Sequence, residues 1–370
     1  MTILTTVPHA LVHAAGHATA AKEPFLFLYI TERCQLRCKH CYMGDRLASE
    51  RRMAPATVED ILSSLRVAYG QYKVYLLGGE PTTHPQFGDI LDVCKEQGYK
   101  VVLTSNGLIA PKTWPLLKDR LDSFSFSMDG ARQETHEQMR GPKTWRPLLA
   151  SMKRAVADGF QTRAIFTVTT ANQGDVFDAI DLADSIGLEM LSFHYFTPTG
   201  LGLDKPHFQI PPTEWADLCT QIRQSAAGRR LRVFYPPAFA TADQLPALRA
   251  AGYGGCTARN LERLAIFPDG RVYICSAFFD TDLHYGEFRN GAIRPRLQDG
   301  ISELTLVNTV SSNCRTCQHS STCGGGCAAY DHLQKTLTSS NCDRSTIPVC
   351  PLWSMPAEPD GTAHRLVDLR

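Results

Sequence analysis

The chain has 370 residues, and 38 Lys and Arg stand against 37 Asp and Glu, which gives a formal net charge of +1. This length allows one large domain and a smaller one, and the near-neutral charge gives no electrostatic case for binding nucleic acid or a membrane surface. No apolar run approaches the ~20 residues of a transmembrane helix. Thirteen cysteines in so long a chain favour metal ligation in a reducing compartment over a disulfide scaffold, which predicts a cytoplasmic protein.

Residues 1–23 are rich in Ala and His and lack the pattern of a secretory signal, which predicts a flexible N-terminal tail. From Phe25 to about Pro198, short apolar runs alternate with amphipathic stretches, and this pattern predicts a parallel sheet with crossover helices. The predicted strands are Phe25–Ile30, Lys73–Leu77, Lys100–Thr104, Ser123–Ser127, Arg163–Thr169 and Met190–Tyr195. The predicted helices are Ala56–Gly70, Pro85–Gln97, Thr113–Asp119, Trp145–Asp158 and Asp175–Ile186. The fold class is therefore α/β, and six such units fit a partial (β/α)6 TIM-like barrel over residues 24–210.

Three cysteines, Cys34, Cys38 and Cys41, follow the first predicted strand with the spacing C-x3-C-x2-C. Three thiolates on one loop can bind three irons of a [4Fe–4S] cube and leave the fourth iron without a protein ligand. A zinc loop is the alternative, but it needs a fourth ligand, and His40 cannot easily join its two neighbouring cysteines around one tetrahedral ion. The loop therefore predicts a redox centre at the C-terminal end of the first strand, where parallel barrels place their chemistry.

This segment resembles the signature of radical S-adenosylmethionine (SAM) enzymes, which carry an aromatic residue at the position of His40. The resemblance implies that S-adenosylmethionine chelates the open iron and is cleaved to a 5′-deoxyadenosyl radical, which abstracts a substrate hydrogen. Gly78, Gly79 and Glu80 resemble the family's Gly-Gly-Glu-Pro motif, which holds the amino group of the cofactor. Glycines let backbone approach a ligand, and a carboxylate can accept hydrogen bonds from an ammonium group.

Five further residues are cofactor-binding candidates by the same resemblance: Asn106, Ser127, Asp129, Arg140 and Tyr42. Asn106 lies in a Thr-Asn-Gly-like turn, Ser127 and Asp129 are placed to bond ribose hydroxyls, and Arg140 is placed to pair with the methionyl carboxylate. Tyr42 is placed to border the adenine. For each of them the alternative is a strand-end turn, a surface ion pair or ordinary packing.

Residues 211–255 are predicted to be a bridging helix, Thr213–Ala227, and a linker. Cysteines are concentrated beyond this point, with the spacing C-x13-G-x4-C from Cys256 to Cys275, then C-x2-C-x5-C-x3-C, then two late cysteines. This series resembles the SPASM extension of radical SAM enzymes, whose members carry two auxiliary iron–sulfur clusters. The resemblance implies a small Cys-rich SPASM domain over residues 256–353 and a C-terminal tail over residues 354–370.

The resemblance assigns three cysteines to the first auxiliary cluster and three, plus one late cysteine, to the second. The first set is Cys256, Cys275 and Cys327; the second is Cys314, Cys317 and Cys323, with Cys342 or Cys350. The sequence leaves open which late cysteine serves and whether the first auxiliary cluster has an open site. A zinc ribbon is the alternative. In all, three [4Fe–4S] clusters, S-adenosylmethionine and an external electron donor of the flavodoxin or ferredoxin type are expected.

The leading functional prediction is modification of a ribosomally made peptide by a crosslink, an epimerisation or a dehydrogenation. Only about 24 residues precede the first strand, so a peptide would need a separate peptide-recognition protein or direct binding. The alternative is a radical SAM dehydrogenase or epimerase acting on a small molecule such as an aminocyclitol or aminoglycoside sugar. Arg163, His194 and Tyr195, near the predicted barrel strands, are candidates for the acid, base or hydrogen donor to the substrate, with core or surface roles as the alternative. The catalytic residues themselves stay unassigned.

Overall fold

The computed structural model of the protein describes residues 24–70, 72–235, 256–259, 261–279 and 281–296, together with residues 246, 250, 303, 327 and 329. The predicted tails, the end of the predicted linker and five predicted cluster ligands lie outside the described residues. Those five are Cys314, Cys317, Cys323, Cys342 and Cys350.

The described strands form one continuous sheet in the order β11-β10-β9-β8-β1-β2-β3-β4-β5-β6-β7. The strands are β1 (Phe25–Thr31), β2 (Lys73–Gly78), β3 (Lys100–Ser105), β4 (Ser123–Ser127), β5 (Gln161–Val168), β6 (Met190–Tyr195), β7 (Arg232–Phe234), β8 (Arg263–Ile266), β9 (Arg271–Tyr273), β10 (Gly286–Arg289) and β11 (Ala292–Pro295). Each of the six predicted strands is present, and β1 to β6 pair in parallel in chain order. This open, parallel α/β sheet confirms the predicted barrel architecture.

The two faces of the barrel strands differ in burial. On β1, Leu26, Leu28 and Ile30 are fully buried on the outer face, where the helices pack, whereas Phe25 and Phe27 are half-buried on the inner face. The same alternation runs along β5, where every second residue from Thr162 is buried. Since a slip of one residue would exchange the faces, this burial pins the register of the sheet.

The helices are α1 (Pro55–Tyr69), α2 (Phe87–Glu96), α3 (Trp114–Leu117), α4 (Gln133–Arg140), α5 (Trp145–Ala157), α6 (Val176–Ile186) and α7 (Pro212–Ala226). The predicted helices are found within two residues of their expected ends, with α3 as a single turn. The prediction missed α4, because seven of its eight residues are polar and it buries only His136 and Met139. A helix with so little apolar surface leaves no periodic signal.

The region after the bridging helix continues the barrel sheet. Strand β8 pairs in parallel with β1, with Arg263 opposite Phe25, and β9, β10 and β11 follow as antiparallel neighbours. The start of the predicted second domain therefore lies against the first barrel strand, beside the loop that carries the first three cysteines. Within the part of the chain that the structure describes, no helix has the length and apolarity to cross a membrane.

Candidate active site

The predicted cluster loop, residues 32–43, leaves the C-terminal end of β1. Four of its polar side chains are exposed, those of Arg33, Gln35, Arg37 and Lys39. Cys38 is only 8% exposed, and Cys34 and Cys41 are half-buried. Burial raises the pKa of the Cys34 thiol to about 11 and that of Cys41 to about 12. Thiolates at these positions therefore require a bound cation to stabilise them.

The donor chemistry of this loop fits an iron–sulfur cube better than a single ion. Among the described residues, no group of three or more His, Cys, Asp or Glu side chains is arranged to hold one metal ion. A tetrahedral zinc ion requires four donors that converge on one point, whereas a cube binds each thiolate through a different iron. Three separate sulfurs on one short loop match the second requirement.

The two glycines after β2 permit close backbone contact with the cluster loop. A Cβ at Gly78 would lie 2.4 Å from the Thr31 carbonyl oxygen, and a Cβ at Gly79 would lie 2.3 Å from the Arg33 carbonyl oxygen and 2.7 Å from the Cys34 Cβ. The Gly79 N–H donates to the Thr31 oxygen at 2.8 Å. Glycine is therefore required here by the approach of protein backbone, which holds the loop that carries Cys34 in place.

Glu80 ties the ends of two strands together. Its fully buried carboxylate accepts hydrogen bonds from Thr82 N–H (3.3 Å) and Oγ1 (2.7 Å), from Ser105 Oγ (3.0 Å) and from Asn106 N–H (2.9 Å). Burial raises the pKa of Glu80, although these donors favour its ionised form. The predicted contact of Glu80 with the cofactor's amino group stays a prediction.

Asn106 lies against the cluster loop. Its Nδ2 is 3.9 Å from Cys34 Sγ, and its Oδ1 accepts hydrogen bonds from Gln35 Nε2 (3.4 Å) and Leu108 N–H (3.0 Å). The amide thus links the turn after β3 to the first cysteine. A hydrogen bond to a cluster sulfur is one of the ways in which a protein sets cluster potential.

Asp129, Arg140 and His40 form a buried charged group beneath Cys38. The Asp129 carboxylate is fully buried and accepts hydrogen bonds from Arg140 Nε and from Thr167 N–H (2.8 Å), and it lies 3.1 Å from His40 Nε2. Burial opposes its ionisation, but Arg140 and His40 hold the pKa of Asp129 well below its usual range. Arg140 Nη1 also donates to Cys38 Sγ at 3.8 Å. The roles in binding ribose and the methionyl carboxylate stay predictions.

Two imidazole nitrogens beside this group have buried positions and no hydrogen-bond partner among the described residues. They are His40 Nδ1 and His136 Nε2. Burial lowers the pKa of His136 to about 4, so its ring is neutral near pH 7, and its Nδ1 accepts from the Asp129 N–H at 3.3 Å. Buried polar atoms are nearly always hydrogen-bonded, so these two nitrogens are available to a bound polar group. The site therefore fits a polar cofactor next to the cluster loop.

The last two cofactor candidates lie apart. Ser127 is half-buried on the inner face at the C-terminal end of β4. Tyr42 points toward the C-terminal strands instead: its hydroxyl is 2.9 Å from the Tyr29 hydroxyl, and its ring contacts Phe279 edge-on at 5.5 Å between centroids. The predicted contact of Tyr42 with the adenine stays a prediction.

Arg46 is a residue of this region that the sequence analysis missed. Its guanidinium donates to Glu32 Oε1 (2.8 Å), Asp269 Oδ2 (2.9 Å), the Tyr273 hydroxyl (2.8 Å) and the Phe279 carbonyl (2.8 Å). It thereby clamps the segment after the cysteines onto the turn that joins β8 and β9. The sequence gives no signal for it, since three of its four partners, Asp269, Tyr273 and Phe279, lie more than 200 positions away.

Three of the predicted auxiliary-cluster cysteines are described, and all three are half-buried: Cys256, Cys275 and Cys327. Burial raises the pKa of Cys275 to about 12, and nearby Cys327 adds to this. The buried Glu303 carboxylate accepts from the N–H groups of Ile274 (2.8 Å) and Cys275 (2.5 Å), a support for the turn at Cys275 that the sequence did not reveal. The two remaining cysteines, Cys94 and Cys219, are buried in α2 and α7.

Residues 28–183, from β1 into α6, match the radical SAM superfamily. This domain belongs to the radical SAM superfamily. The predicted family and the prediction of an enzyme are confirmed, and a radical SAM domain implies a [4Fe–4S] cluster and S-adenosylmethionine. The cluster loop, the turn at Gly78-Gly79-Glu80 and the buried Asp129–Arg140 pair all lie within the matched residues.

Relatives extend the likeness beyond the radical SAM domain. The chain is 26% identical over 337 residues to the mycofactocin maturase MftC of Mycobacterium ulcerans, covering 88% of each chain. It is 25% identical over 302 residues to molybdenum cofactor biosynthesis protein 1 of Drosophila melanogaster, covering 78% of this chain and 51% of that one. Its fold is similar to that of Streptococcus suis SuiB bound to the precursor peptide SuiA, with a TM-score of 0.66 and 20% identity over 84% of this chain and 73% of that chain.

Proposed function

We propose that this radical SAM enzyme modifies a ribosomally made peptide by a crosslink, an epimerisation or a dehydrogenation. The observation that carries the proposal is the match to a maturase over 88% of both chains. The fold shared with SuiB, which was solved with its precursor peptide, supports it. A separate peptide-recognition protein or direct binding would bring the substrate to the barrel.

In this proposal, Cys34, Cys38 and Cys41 bind the first cluster, and the turn at Gly78-Gly79-Glu80 lies beside its ligand. When bound, S-adenosylmethionine and the reduced cluster supply a radical able to abstract a hydrogen atom from the substrate. The contribution of the chain is positional: Asn106 and Arg140 donate to cluster sulfurs, and Glu80 fixes the turn that carries Asn106. An external donor of the flavodoxin or ferredoxin type supplies the electron.

We further propose two auxiliary [4Fe–4S] clusters in the C-terminal region, on the cysteine spacing alone. Their ligands are Cys256, Cys275 and Cys327 for one, and Cys314, Cys317 and Cys323 with Cys342 or Cys350 for the other. Fully loaded protein would then hold about 12 irons per chain, since each cube has four. Alanine substitution of Cys314, Cys317 and Cys323 should remove about four of them, and iron analysis measures this directly.

A radical SAM dehydrogenase or epimerase acting on a small molecule, such as an aminocyclitol or aminoglycoside sugar, is the second candidate. The relative named for molybdenum cofactor biosynthesis favours it, because that name points to a product that is not a peptide. The two functions predict different substrates for the same radical chemistry.

The experiment that separates them is anaerobic turnover followed by mass spectrometry. Reconstituted protein, S-adenosylmethionine and dithionite are incubated in D2O with a short peptide encoded beside the gene, or with an aminocyclitol. A peptide product that has lost two hydrogens, gained a crosslink or taken up deuterium supports the first proposal. Unchanged peptide together with oxidised or epimerised aminocyclitol supports the second. No 5′-deoxyadenosine under any condition contradicts both.

A further inference from the structure

The inner face of the barrel strands carries positive charge and no negative charge. Burial alternation identifies this face: on β5 it holds Arg163, Ile165 and Thr167, whose neighbours Ala164 and Phe166 are fully buried toward the helices. Along β1 to β6, no residue on the inner face of the described strands is Asp or Glu. Asp129, two residues beyond the C-terminal end of β4, is already bound by Arg140 and His40.

Lys100, at the start of β3, is exposed, whereas Arg163 is the charged group of this face that is partly withdrawn from water and has no partner among the described residues. Its side chain is half-buried, and it makes no ion pair or side-chain hydrogen bond with any residue that the structure describes. Its register neighbour on β4 is Ser125, whose hydroxyl is on the same face and likewise has no partner among the described residues. A guanidinium that is partly withdrawn from water without a counter-ion is costly, and an anion placed there repays that cost.

The neighbouring strand carries neutral polar groups. In the parallel register, His194 on β6 lies opposite Thr167, four residues nearer the barrel mouth than Arg163, or ~13 Å along the strand. The imidazole is open to the barrel interior, but enclosure by the strands lowers its pKa to about 4. The imidazole is therefore uncharged near pH 7, and Arg163 carries the charge on the inner face of β5 and β6. Tyr195, by contrast, faces outward, where its ring packs on Trp215 and its hydroxyl donates to the Ile210 carbonyl at 2.6 Å.

The opposite part of the same face is aromatic. Phe25, Phe27 and Tyr75 are half-buried, and their ring centroids lie 5.3 to 5.9 Å from one another. The Arg263 guanidinium lies 5.6 Å from the Phe27 centroid and donates to the Ile274 carbonyl. The interior thus offers an apolar aromatic surface and one unpaired guanidinium.

We propose that Arg163 binds a carboxylate of the substrate inside the barrel, with Ser125 beside it, while the aromatic surface takes an apolar or aromatic side chain. This inference rests on the proposed function and specifies its substrate as a carboxylate-bearing one. The carboxylate is either a chain terminus or an acidic side chain. A carboxylate held at Arg163 leaves the rest of the substrate directed past His194 toward the cluster loop.

The test uses reconstituted full-length protein and three probes of defined charge, followed by calorimetry. N-acetylphenylalanine carries a terminal carboxylate, N-acetylphenylalanylglutamic acid α-amide carries only a side-chain carboxylate, and N-acetylphenylalanine amide carries none. At least one acid should bind about tenfold more tightly than the neutral amide, because a charge-assisted bidentate pair is lost in the amide. Whichever acid shows this preference identifies the source of the carboxylate.

Arg163→Met should abolish the preference, and Arg163→Lys should retain part of it, since lysine keeps the charge without the bidentate geometry. Arg146→Met, at an exposed position on α5, is the matched control and should bind like wild type. Iron content and circular dichroism verify the fold of each variant. Equal binding of acid and amide by wild type, no binding of either, or an unchanged preference in a folded Arg163→Met protein overturns the proposal.

The proposed function is tested separately by 5′-deoxyadenosine formation in wild type without any substrate. If that product forms while the acid probes show no preference, only the carboxylate site is wrong. If no product forms, the radical chemistry itself has failed, whatever the probes do.

Discussion

The surroundings of the cluster loop and the interior of the barrel differ in whether their charged side chains are paired. Among the described residues around the loop, Glu32 is paired with Arg46 and Arg51, and Asp129 is paired with Arg140. The carboxylate of Glu80 is bound by neutral hydrogen-bond donors. In the interior, Arg163 has none among the described residues. Buried ion pairs fix geometry, because breaking one leaves an uncompensated charge. An unpaired charge in an accessible cavity instead leaves binding energy for a ligand. Paired charges such as Glu32 and Asp129 therefore position the cluster loop, whereas the unpaired Arg163 is available to bind a substrate.

The largest effect is expected from removing the three thiols of the cluster loop. Replacing Cys34, Cys38 and Cys41 by Ala should abolish 5′-deoxyadenosine formation and remove about four irons per chain, since the first cube loses all its protein ligands. The control is Cys94→Ala, a cysteine buried in α2 away from the loop, which should keep full iron content. A triple variant that still forms the product would show that the reactive iron is held elsewhere.

Arg46→Met should give the next largest effect, a loss of ~3–5 kcal/mol in the free energy of unfolding. The substitution leaves the fully buried Glu32 with only the half-exposed Arg51, and it also removes the hydrogen bonds to Asp269 and Tyr273. Anaerobic denaturant titration of the loaded protein measures the change.

The double variant Glu32→Gln/Arg46→Met should recover part of this loss, because the orphaned carboxylate is then neutral. The exposed Arg146→Met variant should stay within ~0.5 kcal/mol of wild type. If Arg46→Met unfolds like this control, the clamp between the cluster loop and the C-terminal strands contributes nothing to stability.

The sequence was informative where structure is local. Alternation of apolar runs located all six barrel strands, and the C-x3-C-x2-C spacing located the cluster loop, because both depend on neighbours within a few residues. Contacts between distant segments left no such signal. The residues around Arg46 do not predict its hydrogen bond to Asp269. Those around Phe25 do not predict that β8 pairs in parallel with β1.

The same limit applies to the cofactor candidates. Sequence resemblance assigned Glu80, Asp129 and Arg140 each to a separate ligand atom. In the structure their side chains are bound to the protein: Glu80 to Ser105 and Asn106, and Asp129 to Arg140. A motif identifies residues that belong to one site, but only coordinates show which of them support the others.

A variant of His136 tests whether the stability of the buried group around Asp129 and Arg140 depends on a neutral imidazole at this position. Burial and the nearby Arg140 and His40 lower the pKa of His136 to about 4, against the opposing charges of Asp129 and Glu137. A histidine whose folded pKa is depressed adds stability above its unfolded pKa of ~6.5, and this stability is lost as the pH falls from there toward 4. The expected loss from this group is on the order of 3 kcal/mol at pH 4. Denaturant titrations between pH 7 and pH 4 should show a shallower decline for His136→Gln than for wild type, and parallel curves would contradict the assignment.

The smallest expected effect concerns the hydrogen bond from Arg140 to Cys38. It tests whether a residue that positions the cluster loop also sets the reduction potential of the cluster. Arg140 brings a cation and an N–H donor to a cluster sulfur at 3.8 Å, and both favour the reduced cluster. The double variant Asp129→Asn/Arg140→Met removes the donor while leaving the net charge of the pair at zero. Its first cluster should have a midpoint potential lower by on the order of 60 mV, measured by electron paramagnetic resonance during redox titration. Arg140→Lys, which keeps the cation, should shift it less. If the double variant keeps the wild-type potential with full iron content, Arg140 only positions the loop. The charges around the cluster would then stabilise the fold without changing the reduction potential.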